Sequence, residues 1–467
     1  MFVLYAFLVS LIFCGLDLIF VKTFQLENYK LGNYIKKALK FDFAFGNKTP
    51  LVFTFRIKRL IFCDFLLKFF IFLLFFGLIS NFWVNFAITC VLIVASPFFA
   101  VLTFLLTLPL EDFIKRQYIK KAKEKLSKMP CKTIAITGSF GKTSTKNILY
   151  QLLCVEFQTT ATPKSYNTPM GVCKTILENL KETDDFFIVE FGARCQGDID
   201  TLAKLVGVDF GIITPIGKCH LETFGSLQVI ENTKFELCEN AKDLVVFNGK
   251  SKSSKKLYER FNHKKFLVCT DGSFAFAKNI EVSSTGSKFV MILDGNEIFC
   301  QTKLLGKANI DNIVVASAMA YLLGESIHGI VKGISALSPT PHRLELIKGQ
   351  FVDVIDDSYN SNFDGFKQAL EVLNSFSGKK VVVSPGIVEL GKAQYEINKQ
   401  AGEEVGKVAD VFIIMNQTNK KALEEGARGK CEIHFANTRQ EQKQLLQKIL
   451  NKGDAVLFEN DLPDNMK

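Results

Sequence analysis

The sequence predicts a membrane-anchored α/β protein: transmembrane helices at the N-terminus, then an α/β domain with a phosphate-binding loop, then a Rossmann-like α/β domain. Three observations predict it. Apolar runs long enough to cross a bilayer crowd into the first 110 residues. Beyond them, short apolar runs alternate with amphipathic stretches, the pattern of a largely parallel sheet covered by helices. And the segment TGSFGKTS, residues 137–144, lies directly between a strand-like and a helix-like stretch.

The apolar segments come first in the chain. Hydrophobic residues make up 48% of the 467 positions, and the 45 phenylalanines are concentrated before residue 110. Residues 2–21 form a 20-residue apolar run with one charge, Asp17. A cleaved signal peptide is the alternative, but the basic start and small-residue cleavage site are missing. Residues 60–80 form a second candidate span containing Asp64 and Lys68, which stand at i and i+4 and can pair on one helix face. Residues 82–108 form a third, interrupted by Pro97. The alternative for 60–108 is one hydrophobic hairpin that dips into the membrane. The 22–59 loop holds nine Lys/Arg against two acids, and 113–132 holds eight more. The positive-inside rule puts both flanks in the cytoplasm, with Trp83 at an outer turn. The expected location is therefore the inner (cytoplasmic) membrane, with membrane lipid as a partner and the remaining domains in the cytoplasm. The net charge of +10 sits largely beside these segments, and no nucleic-acid-binding signature accompanies it. The twelve cysteines form no CxxC pair, which argues against structural zinc or a disulfide framework.

The expected organisation is a membrane region over 1–110, a basic linker over 111–130, an ATP-binding domain over 131–337 and a C-terminal domain over 338–467. In the central domain, strands are expected at 132–137, 186–192, 209–216 and 243–249, with a helix over 142–153. Residues 274–301 alternate more finely, with turns at Gly286 and at Asp294–Gly295, and are expected to form an antiparallel insert. The proline-punctuated segment Ser338–Pro341 marks a hinge. After it, strands are expected at 351–356, 380–384, 410–415, 431–436 and 455–459, separated by helices. That is a doubly wound pattern without a dinucleotide fingerprint.

The loop carries the chemistry. Gly138 and Gly141 allow a tight turn that can aim N–H groups at phosphate oxygens, and the following helix adds its N-terminal dipole. Lys142 can reach the β- and γ-phosphates, and Thr143 can bind Mg²⁺. Ile136 stands where the longer general pattern has glycine, so the loop is a shorter variant.

TGSFGKTS resembles the ATP loop of the Mur ligase family, and further segments resemble that family in its own order. The resemblance implies ATP contacts from Gly138, Ser139, Gly141, Lys142, Thr143 and Ser144. TPKSYNTPMGV (162–172) resembles an Asn-rich turn near the substrate, which implies roles for Asn167 and Thr168. IVEFGARCQGDI (188–199) maps a Mg²⁺-binding glutamate onto Glu190. KCHLETFGS (218–226) maps a metal-binding histidine onto His220. On the residues alone, a lone histidine could equally be structural. ENTKFEL (231–237) maps the lysine that the family carbamylates onto Lys234, whose carbamate would hold a second Mg²⁺. NIDN (309–312) places Asn309 near adenine, although Ala308 replaces the family's usual histidine. TPHRLE (340–345) makes Arg343 the hinge arginine that reaches the ATP phosphates on closure.

DDSYNSNFDGF (356–366) resembles a segment typical of the branch that adds D-alanyl-D-alanine to UDP-N-acetylmuramoyl-tripeptide. Asp357, Asn360 and Asn362 occupy matching positions, which implies substrate binding. Phe363 replaces the family proline, but Asn362 can still cap the helix that follows. The implied activity is an ATP- and Mg²⁺-dependent ligation through an acyl phosphate, in which Lys142, Lys234, His220 and Arg343 take part. The family's small N-terminal domain that grips the UDP group is replaced here by the membrane segments. A ligase acting on a different envelope acid and a membrane scaffold with an inactive ligase domain are the alternatives.

Overall fold

The computed structural model describes residues 2–27, 29–43, 49–79, 81–217, 219, 221–359 and 361–461. The chain divides into two compact units, 1–118 with 462–467, and 119–461.

The first unit is helical. Three helices are long and apolar enough to cross a membrane: Phe2–Leu26, Phe55–Leu78 and Phe82–Leu126. The ion pair expected on the second is present, with Lys68 Nζ 2.9 Å from Asp64. Lys68 also pairs with Asp17 of the first helix, and the Thr103 hydroxyl donates to Asp64 at 3.1 Å. Three apolar segments thus share one buried polar cluster, because charges at this depth are tolerated only when paired. Pro97 does not interrupt its helix as expected: Phe82–Leu126 runs on through both Pro97 and Pro109. One missing N–H is a local loss that packed neighbours offset. Separately, Tyr34, stacked on Phe24 at 3.7 Å between ring centroids, donates its hydroxyl to the Pro97 carbonyl at 3.1 Å and so ties this helix to the segment before the second span.

The second unit contains two sheets. The first has nine strands: β1 (Lys132–Thr137), β2 (Thr159–Ala161), β3 (Phe186–Glu190), β4 (Phe210–Ile213), β5 (Leu244–Asn248), β6 (Lys265–Val268), β7 (Ala275–Ser283), β8 (Gly286–Leu293) and β9 (Asn296–Thr302). Their spatial order is β2-β3-β1-β4-β5-β6-β7-β8-β9. Pairing is parallel from β2 to β7 and antiparallel from β7 to β9. The expected antiparallel segment is therefore an extension of the same sheet. Its last turn uses Asp294 (φ 48°) and Gly295 (φ 78°), the two positive φ values that a two-residue hairpin loop requires. The core lies between this sheet and the helices Lys142–Leu153 and Gly306–Leu322. The latter carries an unbroken buried run from Asn312 to Ala320.

The second sheet has six strands: β10 (Glu345–Ile347), β11 (Asp353–Asp357), β12 (Lys380–Ser384), β13 (Val411–Met415), β14 (Glu432–Ala436) and β15 (Ala455–Glu459). Their order is β10-β11-β15-β12-β13-β14, all parallel except β10. The five expected strands are present. β10 is an added edge strand, built from the residues just after the hinge arginine.

Candidate active site

The site gathers at the C-terminal ends of β1, β3 and β4, where open parallel sheets bind ligands. β1 delivers the chain into Gly138, whose φ of 149° no side chain tolerates well and whose added Cβ would lie 2.0 Å from Thr214 Oγ1. Gly141, at φ 75°, starts the helix Lys142–Leu153, and an added Cβ there would meet Asn312 Oδ1 at 2.6 Å. No side chain caps this helix, so its first-turn N–H groups remain open to an anion. The N–H groups of Ser139 and Phe140 do not share that role. Both donate to the Pro215 carbonyl, at 2.9 and 3.2 Å, and the Ser139 hydroxyl donates to the Gly217 carbonyl at 3.1 Å. The cradle therefore falls to the helix start rather than to the loop crest.

Lys142 folds back over the loop, donating to the carbonyls of Gly138 (2.9 Å) and Ser139 (3.1 Å). Burial pushes its ammonium down and the charge of Arg343 adds to this, while Glu190 opposes it. Thr143 donates its hydroxyl to Glu190 Oε2 at 2.8 Å, and Asn167 Nδ2 donates to Glu190 Oε1 at 3.0 Å. Glu190 is 2% exposed, so two neighbours hold its carboxylate in one orientation. Ser144 follows in the first turn and is also buried. Thr168 accepts from the Gly171 N–H at 3.4 Å, which makes it the N-cap of the helix Pro169–Glu178.

Lys234 lies on the helix Leu227–Asn240 with 2% exposure. Among the described residues its ammonium has no hydrogen-bond partner. Its pKa is lowered to about 7, first by burial and then by the nearby Lys142 charge, against the pull of Cys219, Glu236 and Asp198. His220 lies outside the described residues, as does Asn360.

Asn309 is buried and donates to the Leu305 carbonyl at 3.0 Å, which ties its amide to the start of its own helix. Asn312 accepts the Thr145 hydroxyl at 3.1 Å, joining that helix to the phosphate loop helix.

Arg343 sits in a strained turn, between His342 (φ 60°) and Leu344 (φ 49°). Several contacts hold the turn, among them the His342 ring paired with Asp356 at 2.8 Å and the His342 N–H donating to Glu345 at 3.0 Å. The guanidinium stacks on Tyr359, 4.3 Å from the ring centroid. Its charge acts on Lys142, Lys146 and Asp357, which brings the second sheet's arginine within electrostatic reach of the phosphate loop. Asp357 accepts from the Leu344 N–H at 3.1 Å, and Asn362 caps the helix Phe363–Asn374 through Gly365 N–H at 3.0 Å.

Sequence reasoning missed Lys146. It is fully buried, and its ammonium donates to the carbonyls of Thr162 and Lys164 at 2.5 Å each. It fastens the start of the 162–172 turn to the phosphate loop helix and so fixes the segment that carries Asn167. The available signal was its place one turn beyond Lys142, on the same helix face.

Known proteins resemble this chain over both sheets. Residues 136–320 match the family model described as the Mur ligase middle domain, and residues 342–459 match the Mur ligase, glutamate ligase domain. The UDP-N-acetylmuramoyl-tripeptide--D-alanyl-D-alanine ligase of Buchnera aphidicola is 31% identical over 326 residues, covering 68% of this chain and 70% of that protein. The ligase of the same name from Bacillus subtilis is 29% identical over 350 residues, covering 72% and 74%. Among solved structures, MurF from Acinetobacter baumannii aligns with a TM-score of 0.68 at 26% identity, covering 74% of this chain and 77% of that one. MurF from Thermotoga maritima in complex with ADP aligns with a TM-score of 0.68 at 25% identity, covering 74% and 80%. With both domain models matched in sequence around one phosphate loop, the chain belongs to the Mur ligase family of ATP-dependent ligases.

Proposed function

We propose that this chain adds D-alanyl-D-alanine to UDP-N-acetylmuramoyl-tripeptide, with ATP as the phosphoryl donor, in peptidoglycan precursor synthesis at the cytoplasmic face of the inner membrane. The observation that carries the reading is the cluster of Lys142, Thr143 and Glu190 at one helix start, with Thr143 donating to Glu190 at 2.8 Å and the Arg343 charge acting on Lys142. The named activity of the relatives supplies the substrates.

The chemistry follows from what these residues can do. The tripeptide carboxylate attacks the γ-phosphorus of ATP, ADP departs, and an acyl phosphate results. The open N–H groups and Lys142 hold the β- and γ-phosphates, and Arg343 adds positive charge from the second sheet. The dipeptide amine then attacks the acyl carbon, and phosphate leaves. Gly138, Ser139, Gly141 and Ser144 shape the loop around the triphosphate, Asn309 lies on the adenine side, and Asn167, Thr168, Asp357 and Asn362 border the other substrates.

The donor set fits Mg²⁺. Thr143 and Glu190 offer hard oxygen atoms side by side, and Asn167 leaves the Glu190 carboxylate oriented. Lys234 as an ammonium would repel a cation. At a pKa of about 7 it has a sizeable neutral fraction at cytoplasmic pH. That neutral amine can take up CO₂, and the resulting carbamate, with His220, would complete the ligand set. When bound, the metal would neutralise phosphate charge and polarise the γ-phosphoryl group.

Lys142→Ala tests the assignment. Phosphate release by the detergent-solubilised full chain, in the presence of all substrates, should fall by about 10²–10³-fold, the usual loss for a preorganised charged donor at a transferring group. Unchanged turnover would remove the phosphate loop from the mechanism.

A further inference from the structure

The second sheet ends in a pair of acids. Asp357 is the last residue of β11 and Glu459 the last of β15, and the two are direct partners in the parallel register. Neighbouring residues in register project to the same face of a sheet, so both carboxyls stand at the strand ends on one side. Glu459 is 1% exposed. Its Oε1 accepts the Ser361 hydroxyl at 2.5 Å, and its Oε2 has no hydrogen-bond partner among the described residues. Asn460 pins the two strand ends together, its N–H donating to the Asp357 carbonyl at 3.1 Å and its side chain to the Gly386 carbonyl at 2.6 Å.

No cation is paired with Glu459 among the described residues: the Arg343 charge acts on Asp357, and Glu459 has the Asp357 carboxyl and the Ser361 hydroxyl beside it. A buried carboxyl oxygen with no partner is costly, and a cationic ligand removes that cost. The proposed reaction brings one cation to this side of the site, the ammonium of the incoming dipeptide. We propose that Glu459 and Asp357 together form the ammonium subsite of the ligase, holding the dipeptide amino group and taking up its first proton. The inference rests on the ligase reading above.

The step balances. One proton passes from the ammonium to the carboxyl pair, which leaves a neutral amine. The nitrogen lone pair forms the C–N bond while the C–O bond to phosphate breaks with its electrons. The second nitrogen proton leaves with the phosphate as hydrogen phosphate. The titration of the pair suits the task. Burial raises Asp357 to about 6 against the pull of Arg343 and the Leu344 N–H, with Asp356 adding to the rise. Burial and the Asp357 charge hold Glu459 well above the usual range, against the Ser361 hydroxyl bond. Asp357, at about 6, lies just below working pH, where a carboxylate is ionised and still basic enough to take a proton.

The test compares two nucleophiles on the full-length enzyme. Hydroxylamine is uncharged at neutral pH and traps the acyl phosphate as a hydroxamate without needing an ammonium site. Glu459→Gln should raise the KM for D-alanyl-D-alanine by about ten- to a hundredfold, the worth of one charged hydrogen bond. It should also shift the acid limb of the amide-forming rate, while hydroxamate formation with UDP-muramoyl-tripeptide and ATP stays at the wild-type level. An unchanged KM and pH profile overturns the proposal. So does an equal loss of hydroxamate, which would place the pair in the fold or the ATP site. A wild-type enzyme that forms hydroxamate but no amide with the dipeptide overturns the ligase reading itself, a separate result.

Discussion

Glu325 has 2% exposure, and neither of its carboxyl oxygens has a hydrogen-bond partner among the described residues. Burial raises its pKa to about 7 from an ordinary 4.5, and the nearby Glu156 charge adds to the rise. A raised carboxyl means that the folded state keeps a proton the unfolded chain has released between those two values. Stability from this residue is therefore full at low pH and is lost as pH rises through about 7. Glu325→Gln, which lies away from the phosphate loop, should raise the thermal midpoint at pH 8 and leave it nearly unchanged at pH 5. An equal shift at both pH values would contradict the assignment. Lys142 and Thr143 were marked in the sequence by the spacing of the loop, and Glu190 was expected from the family resemblance. Lys146, Glu325 and Glu459 carried no such mark. A lysine in a helix or an acid at a strand end looks solvated until the packing shows that it is buried.

At the scale of elements, periodicity located most strands to within a residue or two, because buried parallel strands are short unbroken apolar runs. It missed Thr159–Ala161, Lys265–Val268 and Glu345–Ile347. Strands of three or four residues are too short to show a period, and their pairing partners lie far away in sequence. The apolar N-terminal helices show the same limit. Asp64 and Lys68 announced a pair at i and i+4, but nothing in the spacing showed that Asp17 of another helix completes it. Lys68→Met would leave both aspartates without their cation, at a cost of about 3–5 kcal/mol for an uncompensated buried charge. The variant should be recovered from membranes in reduced amount and unfold at lower temperature in detergent. Adding Asp17→Asn and Asp64→Asn to it should restore most of the loss. A single variant as stable as the wild type would show that the cluster does not hold the helices together.

At the scale of the molecule, the sequence separated an apolar first quarter from an α/β remainder, and the chain divides into two compact units near residue 118. The expected order of loop, acid, lysine and arginine was read from the family resemblance. What no local pattern encodes is that the charge of Arg343, far along the sequence, bears on Lys142. Mass spectrometry reads the ligation directly. The purified full-length protein is incubated with ATP, Mg²⁺ and UDP-muramoyl-tripeptide, with and without D-alanyl-D-alanine. The expected result is a product heavier by the dipeptide less one water, one ADP for each amide formed, and no amide when either the dipeptide or ATP is omitted. ATP consumption without amide, or no turnover with the complete mixture, would contradict the proposed ligation.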